Sequence, residues 1–148
     1  PRYDAKPSYG IVGGLVFMPL TDELIGARGA DYRVRSLSAD GSPTPERTQV
    51  VVLSHVLADN VNRGYHNWSM APVTRVNGKS ISRLADLVAA FKTPVGGRHE
   101  IEFNHFSGYG ENKGARIVLD AATTAAAMPS ILTRYGVPAD RSEDIKTQ

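Results

Sequence analysis

One strand–turn–helix pattern near the middle of the chain constrains its fold more than any other feature. A run rich in β-branched residues, Val73 to Val76, leads into Asn77-Gly78, the dipeptide that most readily adopts positive φ angles. Apolar residues then recur at helical spacing from Ile81 to Phe91. The pattern predicts a strand, a tight turn and a helix whose N-cap is Ser80 or Ser82.

The composition is that of an ordinary globular protein. The chain has 148 residues, of which 41% are hydrophobic and 22% are charged, with a net charge of +2 and no cysteine. This length allows one domain or two small ones. The weak, scattered positive charge argues against nucleic acid and anionic membranes as partners, and no apolar run is long enough for a membrane span. The opening residues are typical of a piece of a longer protein.

Two short apolar segments near the start of the chain predict strands. Ile11-Val12 and Leu15 to Met18 are separated by Gly13-Gly14. The glycines allow a close approach of backbones, or a turn whose exposed N–H groups receive an anion. Pro19 ends the strand material, and Thr21 is predicted to cap a short helix.

Later segments predict the rest of a sheet. Residues 49–57 form an almost continuous apolar run, which is typical of a central strand buried on both faces. Residues 99–106 alternate polar and apolar, and residues 115–119 return the chain, so these two segments predict a hairpin. Residues 38–48, rich in Gly, Ser and Pro, predict a surface loop.

The C-terminal part predicts helix. Asp120 is suited to cap an alanine-rich segment, Ala121 to Met128, and Pro129 is suited to open a second segment that ends at Gly136. This extension either packs back on the domain or contacts another protomer. The polar residues 139–148 predict a flexible tail.

The sequence contains no convincing catalytic or metal-binding motif. Ser54, His55 and Asp59 are the residue types of a hydrolase triad, but neighbours on a strand point to opposite faces, so we expect no catalytic residues here. The histidines lack the close pairing of a zinc site, and we expect neither a metal nor a cofactor; they are His55, His66, His99 and His105. Residues 108–114 resemble a phosphate loop only superficially, because no helix follows them.

The order of these segments resembles a PDZ domain, on Val73-Thr74-Arg75-Val76-Asn77-Gly78 and the helix that follows. A narrower resemblance is to the C-terminal, second PDZ domain of Deg/HtrA serine proteases, in particular the plant-type Deg branch and its bacterial relatives. It is carried by 14–20, 51–59, Gly64-Tyr65 and 134–142. Where such domains commonly carry Gly-Asp before the strand, this chain has Ser69-Met70-Ala71-Pro72.

The resemblance implies an α+β fold: a PDZ-like, partly open β-barrel or sandwich of five to six mostly antiparallel strands with two helices and a C-terminal helical extension. It implies a linker over 1–8, the PDZ-like domain over 9–120, the extension packed on it over 121–138 and the flexible tail. For a bacterial member it implies the periplasm or cell envelope, but the compartment stays open.

The resemblance also implies a peptide groove, with the carboxylate loop and added-strand edge at Gly13, Gly14, Leu15, Val16 and Phe17. The groove helix would contribute Leu84, Leu87 and Val88. These helical residues, with Phe91, could instead fill the core beneath the helix.

Three hypotheses follow. The first is a non-catalytic regulatory domain of a Deg/HtrA-type, trypsin-like serine endopeptidase, which acts in oligomer assembly or gating of proteolysis through contacts with other domains, protomers or substrate segments. The second is capture of peptides or substrate C-termini by β-augmentation. The third is an independent small enzyme or metal protein that uses its histidines.

Overall fold

The computed structural model describes residues 8–21, 49–103 and 115–146. Within these residues seven strands form one antiparallel sheet in the order β1-β2-β3-β4-β6-β7, with β5 paired to β4. The strands are β1 (Gly10–Val12), β2 (Leu15–Pro19), β3 (Val51–Val56), β4 (Ala71–Val76), β5 (Lys79–Ser80), β6 (Arg98–Phe103) and β7 (Arg116–Asp120). The helices are α1 (Leu84–Ala90), α2 (Ala121–Tyr135) and α3 (Glu143–Lys146), and a 3₁₀ turn spans Asn60–Asn62.

This architecture confirms the predicted PDZ-like α+β fold. The predicted hairpin is confirmed, because β6 and β7 pair antiparallel from Arg98 opposite Asp120 to Glu102 opposite Arg116. The predicted alternation of β6 is also present, with every second residue buried. The helix predicted after Thr21, the loop over 38–48, the turn over 107–114 and His105 lie outside the described residues.

The core lies between the sheet and α1. It is made of aliphatic and aromatic side chains from β2, β3, β4, β6, β7 and α1, and the C-terminal Ile145 joins them. Burying one such side chain stabilises the fold by about 1.5–3 kcal/mol. The core includes Leu15, Phe17, Leu53, Val76, Leu84, Leu87, Ile101 and Ile117, none of which is more than 1% exposed.

The central strand–turn–helix unit forms as predicted, with one difference. Asn77 and Gly78 both have positive φ, 52° and 81°, and turn β4 into the two-residue β5. The helix begins at Leu84, later than expected, and neither Ser80 nor Ser82 caps it. The Asp86 carboxylate instead accepts from the backbone N–H groups of Ser82 and Arg83, at 3.1 and 3.0 Å.

Met70, in the segment that precedes β4, has an unusual backbone conformation. Met70 takes a φ of 54°, a left-handed conformation that a glycine adopts without strain and that disfavours a residue with a Cβ. Its side chain is buried, and its N–H donates to the Ser54 carbonyl at 3.2 Å. Burial and this hydrogen bond together hold the unfavourable backbone angle in place.

The C-terminal extension is one helix rather than two segments. Asp120 caps it as expected, accepting from Thr123 N at 2.8 Å, and Gly136 ends it with a φ of 68°. Pro129 lies inside this helix, where it forfeits one backbone hydrogen bond without ending the helix. Thr124 and Ile131 are the buried residues of α2, so the helix lies against the domain.

Candidate functional site

The apolar face of the predicted groove helix, α1, packs against β2 in the core. Leu84 and Leu87 are 1% and 0% exposed and belong to the same cluster as Leu15 and Phe17. The Phe17 and Phe91 rings lie with centroids 5.7 Å apart. Of the three predicted groove residues on this helix, Val88 alone is half-buried. The structure therefore brings Leu15, Phe17, Leu84 and Leu87 together in the core, where the two helical leucines are enclosed.

The edge of β2 that would receive an added peptide is paired with β1. The register places Gly10 opposite Phe17, Ile11 opposite Val16 and Val12 opposite Leu15. Because β3 pairs with the other edge of β2, both of its edges have partners along Leu15 to Phe17. The segment of β2 predicted to bind a peptide strand is thus already hydrogen-bonded on both sides.

The position of Gly10 shows that β1 lies against α1. A Cβ atom built on Gly10 would lie 3.2 Å from Cγ2 of Val88, which is tighter than most real contacts. A residue without a side chain therefore allows the strand to lie beside the helix. On the next residues, Ile11 is buried and Val12 packs against the core cluster.

The turn predicted to receive a carboxylate is a two-residue hairpin turn. Gly13 and Gly14 have φ angles of 56° and 86°, positive at both central positions as a type I′ turn requires. The Gly13 N–H, which could have faced an anion, donates to Sδ of Met128 at 3.1 Å. The turn connects β1 to β2 in place of an open loop.

The surroundings of this turn are crowded. The Gly13 carbonyl accepts from Nδ2 of Asn62 at 2.8 Å, and the Gly14 carbonyl accepts from Leu57 N at 2.7 Å. A Cβ on Gly14 would lie 2.5 Å from both Asn62 Nδ2 and the Leu57 oxygen. A Cβ on Gly13 would lie 2.8 Å from Cγ2 of Thr124. The two glycines are needed for packing as well as for backbone conformation.

Asn62 is the residue of this region that sequence reasoning missed. It is fully buried, and its Nδ2 donates to Gly13 O and Leu57 O while its Oδ1 accepts from Asp59 N at 3.0 Å. Asp59 Oδ1 accepts in turn from Val61 N, which makes a capping box. The spacing of Asp59 and Asn62, three residues apart, is the only signal that could have indicated this arrangement.

The C-terminal residues 140–145, which we call the clasp, close the outer edge of β1. Ile11 N donates to Asp140 O at 2.7 Å, and Ser142 N donates to Tyr9 O at 3.0 Å. Tyr9 N donates to Oγ of Ser142 at 3.0 Å, and Ile145 is buried in the core. Sequence reasoning predicts a flexible tail here, whereas in the structure the described part of the segment, up to residue 146, has these defined contacts.

A second anchor joins α2 to the 3₁₀ turn. Arg134 Nη1 lies 3.0 Å from Oδ2 of Asp59, and the Tyr135 hydroxyl donates to Ala58 O at 2.7 Å. Asp59 therefore interacts both with Arg134 and with the backbone of the 3₁₀ turn that it caps.

The residue types of a hydrolase triad are also placed by the structure. Ser54 Oγ and His55 Nδ1 lie 2.9 Å apart, and Ser54 is buried. In the part of the chain that the structure describes, no group of three or more acidic or histidine side chains could hold a metal ion.

Among the described residues, three groups have shifted pKa values. Burial lowers the pKa of His99, whose Nδ1 lies 3.1 Å from Nδ2 of Asn77. Hydrogen bonds from the side chain and backbone of Thr123 lower the pKa of Asp120. Hydrogen bonds from the hydroxyls of Ser142 and Ser8 lower the pKa of Asp144, so the clasp includes an ionised carboxylate.

The comparisons with known proteins agree with this geometry. A model of the PDZ domain family matches residues 1–144, and the chain belongs to that family. The chain is 34% identical to Protease Do-like 2, chloroplastic, of Arabidopsis thaliana, over 95% of this chain and 22% of the relative. It is 31% identical to Putative protease Do-like 3, mitochondrial, of the same plant, over 98% of this chain and 24% of the relative.

The extent of these matches bears on function. The chain spans about a quarter of the length of the curated relatives it matches. As a PDZ domain related to Do-like proteases, it is a protein-interaction domain. Among the described helices, none is long and apolar enough to cross a membrane.

Proposed function

We propose that this PDZ domain is a non-catalytic regulatory domain of a Deg/HtrA-type serine endopeptidase and acts in oligomer assembly or in gating of proteolysis. The observation that carries the proposal is the pairing of β1 along β2, which fills the edge that a peptide would use. A domain whose groove edge is filled has its other surfaces left for contacts with neighbouring domains or protomers.

The packing of the turn supports the same proposal. A carboxylate loop needs free N–H groups that converge on the anion. Here the N–H of Gly13 is held by Met128, and Asn62 and Thr124 surround the two glycines. Capture of free C-termini is therefore the less favoured use of this domain.

The non-catalytic part of the proposal is tested with the chain alone. The purified chain is incubated with casein, with and without a serine-protease inhibitor. We expect no hydrolysis above the buffer control. Inhibitor-sensitive hydrolysis by the chain would overturn this part of the proposal.

The assembly part is tested in the parent protease. Val95 is the most exposed large hydrophobic residue in the described parts of the chain, at 58%, and it lies in the turn between α1 and β6. Parent protein carrying Val95→Asp is compared with Val95→Thr, which keeps the shape without the charge, and with parent protein lacking this domain. We expect domain removal to change the oligomer mass or the rate of casein hydrolysis. If neither changes, the domain does not act in assembly or gating.

The second candidate is peptide capture by β-augmentation. It is favoured by the same pairing, because β1 itself is an antiparallel strand added to β2 beside α1. Since Leu84 and Leu87 belong to the core, charged substitutions there would unfold the domain. Val88 is the groove residue that can be varied, and a peptide library screened against wild type and Val88→Asp would separate this candidate from the first.

A further inference from the structure

Strand β1 occupies the groove in the manner of a ligand. It is a three-residue extended segment, antiparallel to β2, with Val12 next to the turn and against the core cluster. Its residues differ in side-chain size and burial: Gly10 has no side chain, Ile11 is buried and Val12 is half-buried. The groove is therefore already matched to a particular sequence.

The closest fit between β1 and α1 is at Gly10, which faces Val88. A Cβ at this position would lie 3.2 Å from Cγ2 of Val88, so the Val88 side chain would have to shift by a few tenths of an ångström, and a branched side chain would crowd it further. The backbone conformation itself does not demand glycine, because Gly10 is not among the residues with positive φ. The requirement for a small residue thus comes from Val88 and can be tested by changing Val88.

The clasp holds β1 from the side opposite β2. Two backbone hydrogen bonds pair the clasp with β1 and with the residue before it: Ile11 N donates to Asp140 O, and Ser142 N donates to Tyr9 O. The Ser8 hydroxyl donates to Oδ2 of Asp144 at 2.5 Å. Ile145 anchors the far end of the clasp in the core at 6% exposure. The clasp therefore holds the N-terminal end of β1, from Gly10 to Ile11, in place against β2.

We propose that β1 is the resident ligand of the groove and that the clasp retains it. When β1 leaves, the groove takes an extended segment of the same chemistry from another chain: a glycine facing Val88, followed by two β-branched residues. The proposal rests on the second candidate function, peptide capture by β-augmentation, because it names the ligand and the regulation of that groove. It adds a selectivity element, Val88, and a retaining element, residues 140–145.

The experiment uses the full chain and a labelled, C-terminally amidated peptide, Ser-Tyr-Gly-Ile-Val, which copies residues 8–12. Binding is measured by fluorescence anisotropy to wild type, to Gly10→Val and to the double variant Gly10→Val/Val88→Ala. We expect Gly10→Val to bind the peptide at least tenfold more tightly than wild type does, because its own β1 no longer fits beside Val88. We expect the double variant to return to the wild-type affinity, because β1 fits again.

A control peptide makes the result specific. The peptide Ser-Tyr-Val-Ile-Val should bind Gly10→Val at least tenfold more weakly than the parent peptide, since its valine meets the same Val88. A folded Gly10→Val chain that does not bind the parent peptide, or one that binds both peptides equally, would overturn the proposal. Equal binding by wild type and Gly10→Val would also overturn it.

A second variant covers the case in which Gly10→Val does not fold. Ile145→Ala weakens the anchor of the clasp and leaves β1 and β2 unchanged. We expect it to speed amide exchange at Gly10 and Val12 at least tenfold more than at the β4 and β6 amides, and to raise affinity for the parent peptide. A uniform rise in exchange over the whole sheet would show that the clasp does not retain β1, and would overturn the proposal. These outcomes concern the isolated chain, so they are independent of whether the parent protease assembles through this domain.

Discussion

Two tight turns of this domain have nearly the same backbone and opposite surroundings. Gly13-Gly14 has φ angles of 56° and 86°, and Asn77-Gly78 has 52° and 81°. A Cβ on Gly78 would meet nothing within 4 Å, whereas a Cβ on Gly14 would lie 2.5 Å from two atoms. Nearly identical backbone angles therefore serve two different turns. In one, which we call the exposed turn, the glycine is exposed although Asn77 is buried; in the other, both glycines are buried, and only this buried turn joins β1 to β2.

The largest expected difference comes from alanine at the second glycine of each turn. Gly14→Ala should lower the free energy of unfolding by about 4 kcal/mol, because positive φ and overpacking both act against it. Gly78→Ala should lower it by about 1 kcal/mol, because only the positive φ acts there. Urea denaturation of the two variants and wild type measures both values. Equal losses would contradict the difference in surroundings.

The next largest expected loss of stability comes from removing the side chain that hydrogen-bonds to the buried turn. Asn62→Ala should lower the free energy of unfolding by about 3 kcal/mol, because the variant leaves the carbonyls of Gly13 and Leu57 without a donor. Asn60, in the same 3₁₀ turn, is exposed and accepts from Arg63 at 3.1 Å, so Asn60→Ala is the matched control with a loss below about 0.5 kcal/mol. Thermal or urea unfolding distinguishes them, and similar losses would mean that Asn62 does not anchor the turn.

The exposed turn is held by the Asn77 side chain as well as by its backbone, since Asn77 N also donates to Glu100 O at 2.8 Å. Asn77 Nδ2 donates to Ala90 O at 3.1 Å and lies 3.1 Å from Nδ1 of His99, and Asn77 Oδ1 accepts from Glu100 N at 2.8 Å. Asn77→Asp should lower the free energy of unfolding by about 2 kcal/mol at neutral pH, because the carboxylate cannot donate. Asn77→Gly keeps the positive φ without any side-chain bond and serves as the comparison for urea unfolding. A variant as stable as wild type would show that the Asn77 amide does not hold the turn.

The smallest effect is a pH dependence confined to the exposed turn. The pKa of His99 is lowered by burial, so the neutral imidazole stabilises the folded state and that contribution is lost as pH falls below the ordinary histidine pKa of about 6.5. Stability should therefore decrease from pH 7 to pH 5 in wild type and decrease less in His99→Gln. Asp120 and Asp144, whose pKa values are lowered, act only at more acid pH, where their contribution is lost in turn. Parallel pH profiles for the two proteins would contradict the assignment to His99.

The exposed turn can be predicted from the sequence, whereas for the buried turn the sequence predicts the hairpin but not its burial. Asn77-Gly78 between a β-branched run and a helical pattern carries its own signal. Gly13-Gly14 also lies between two short apolar runs, which is a hairpin signal, but the same glycines fit a loop open to a ligand. Nothing local in the sequence distinguishes a turn that faces solvent from one covered by α2 and the 3₁₀ turn.

Side-chain direction and long-range pairing explain the other differences. Apolar spacing places Leu84 and Leu87 on one face of a helix, but spacing does not say whether that face meets the core or a groove. The clasp is polar except for Ile145, so its pairing with Tyr9 and Ile11 has no periodic signal. Contacts between residues more than 100 positions apart have to be found in the structure.

The most direct test of the central claim is residue-resolved amide hydrogen exchange of the full chain by NMR. In a two-residue hairpin the amides of Leu15 and Phe17 point toward β1, whereas that of Val16 points toward β3. If β1 fills the groove edge, the amides of Leu15 and Phe17 should be protected to a similar degree as that of Val16. Fast exchange at Leu15 and Phe17 with slow exchange at Val16 would show an open edge and would contradict the account.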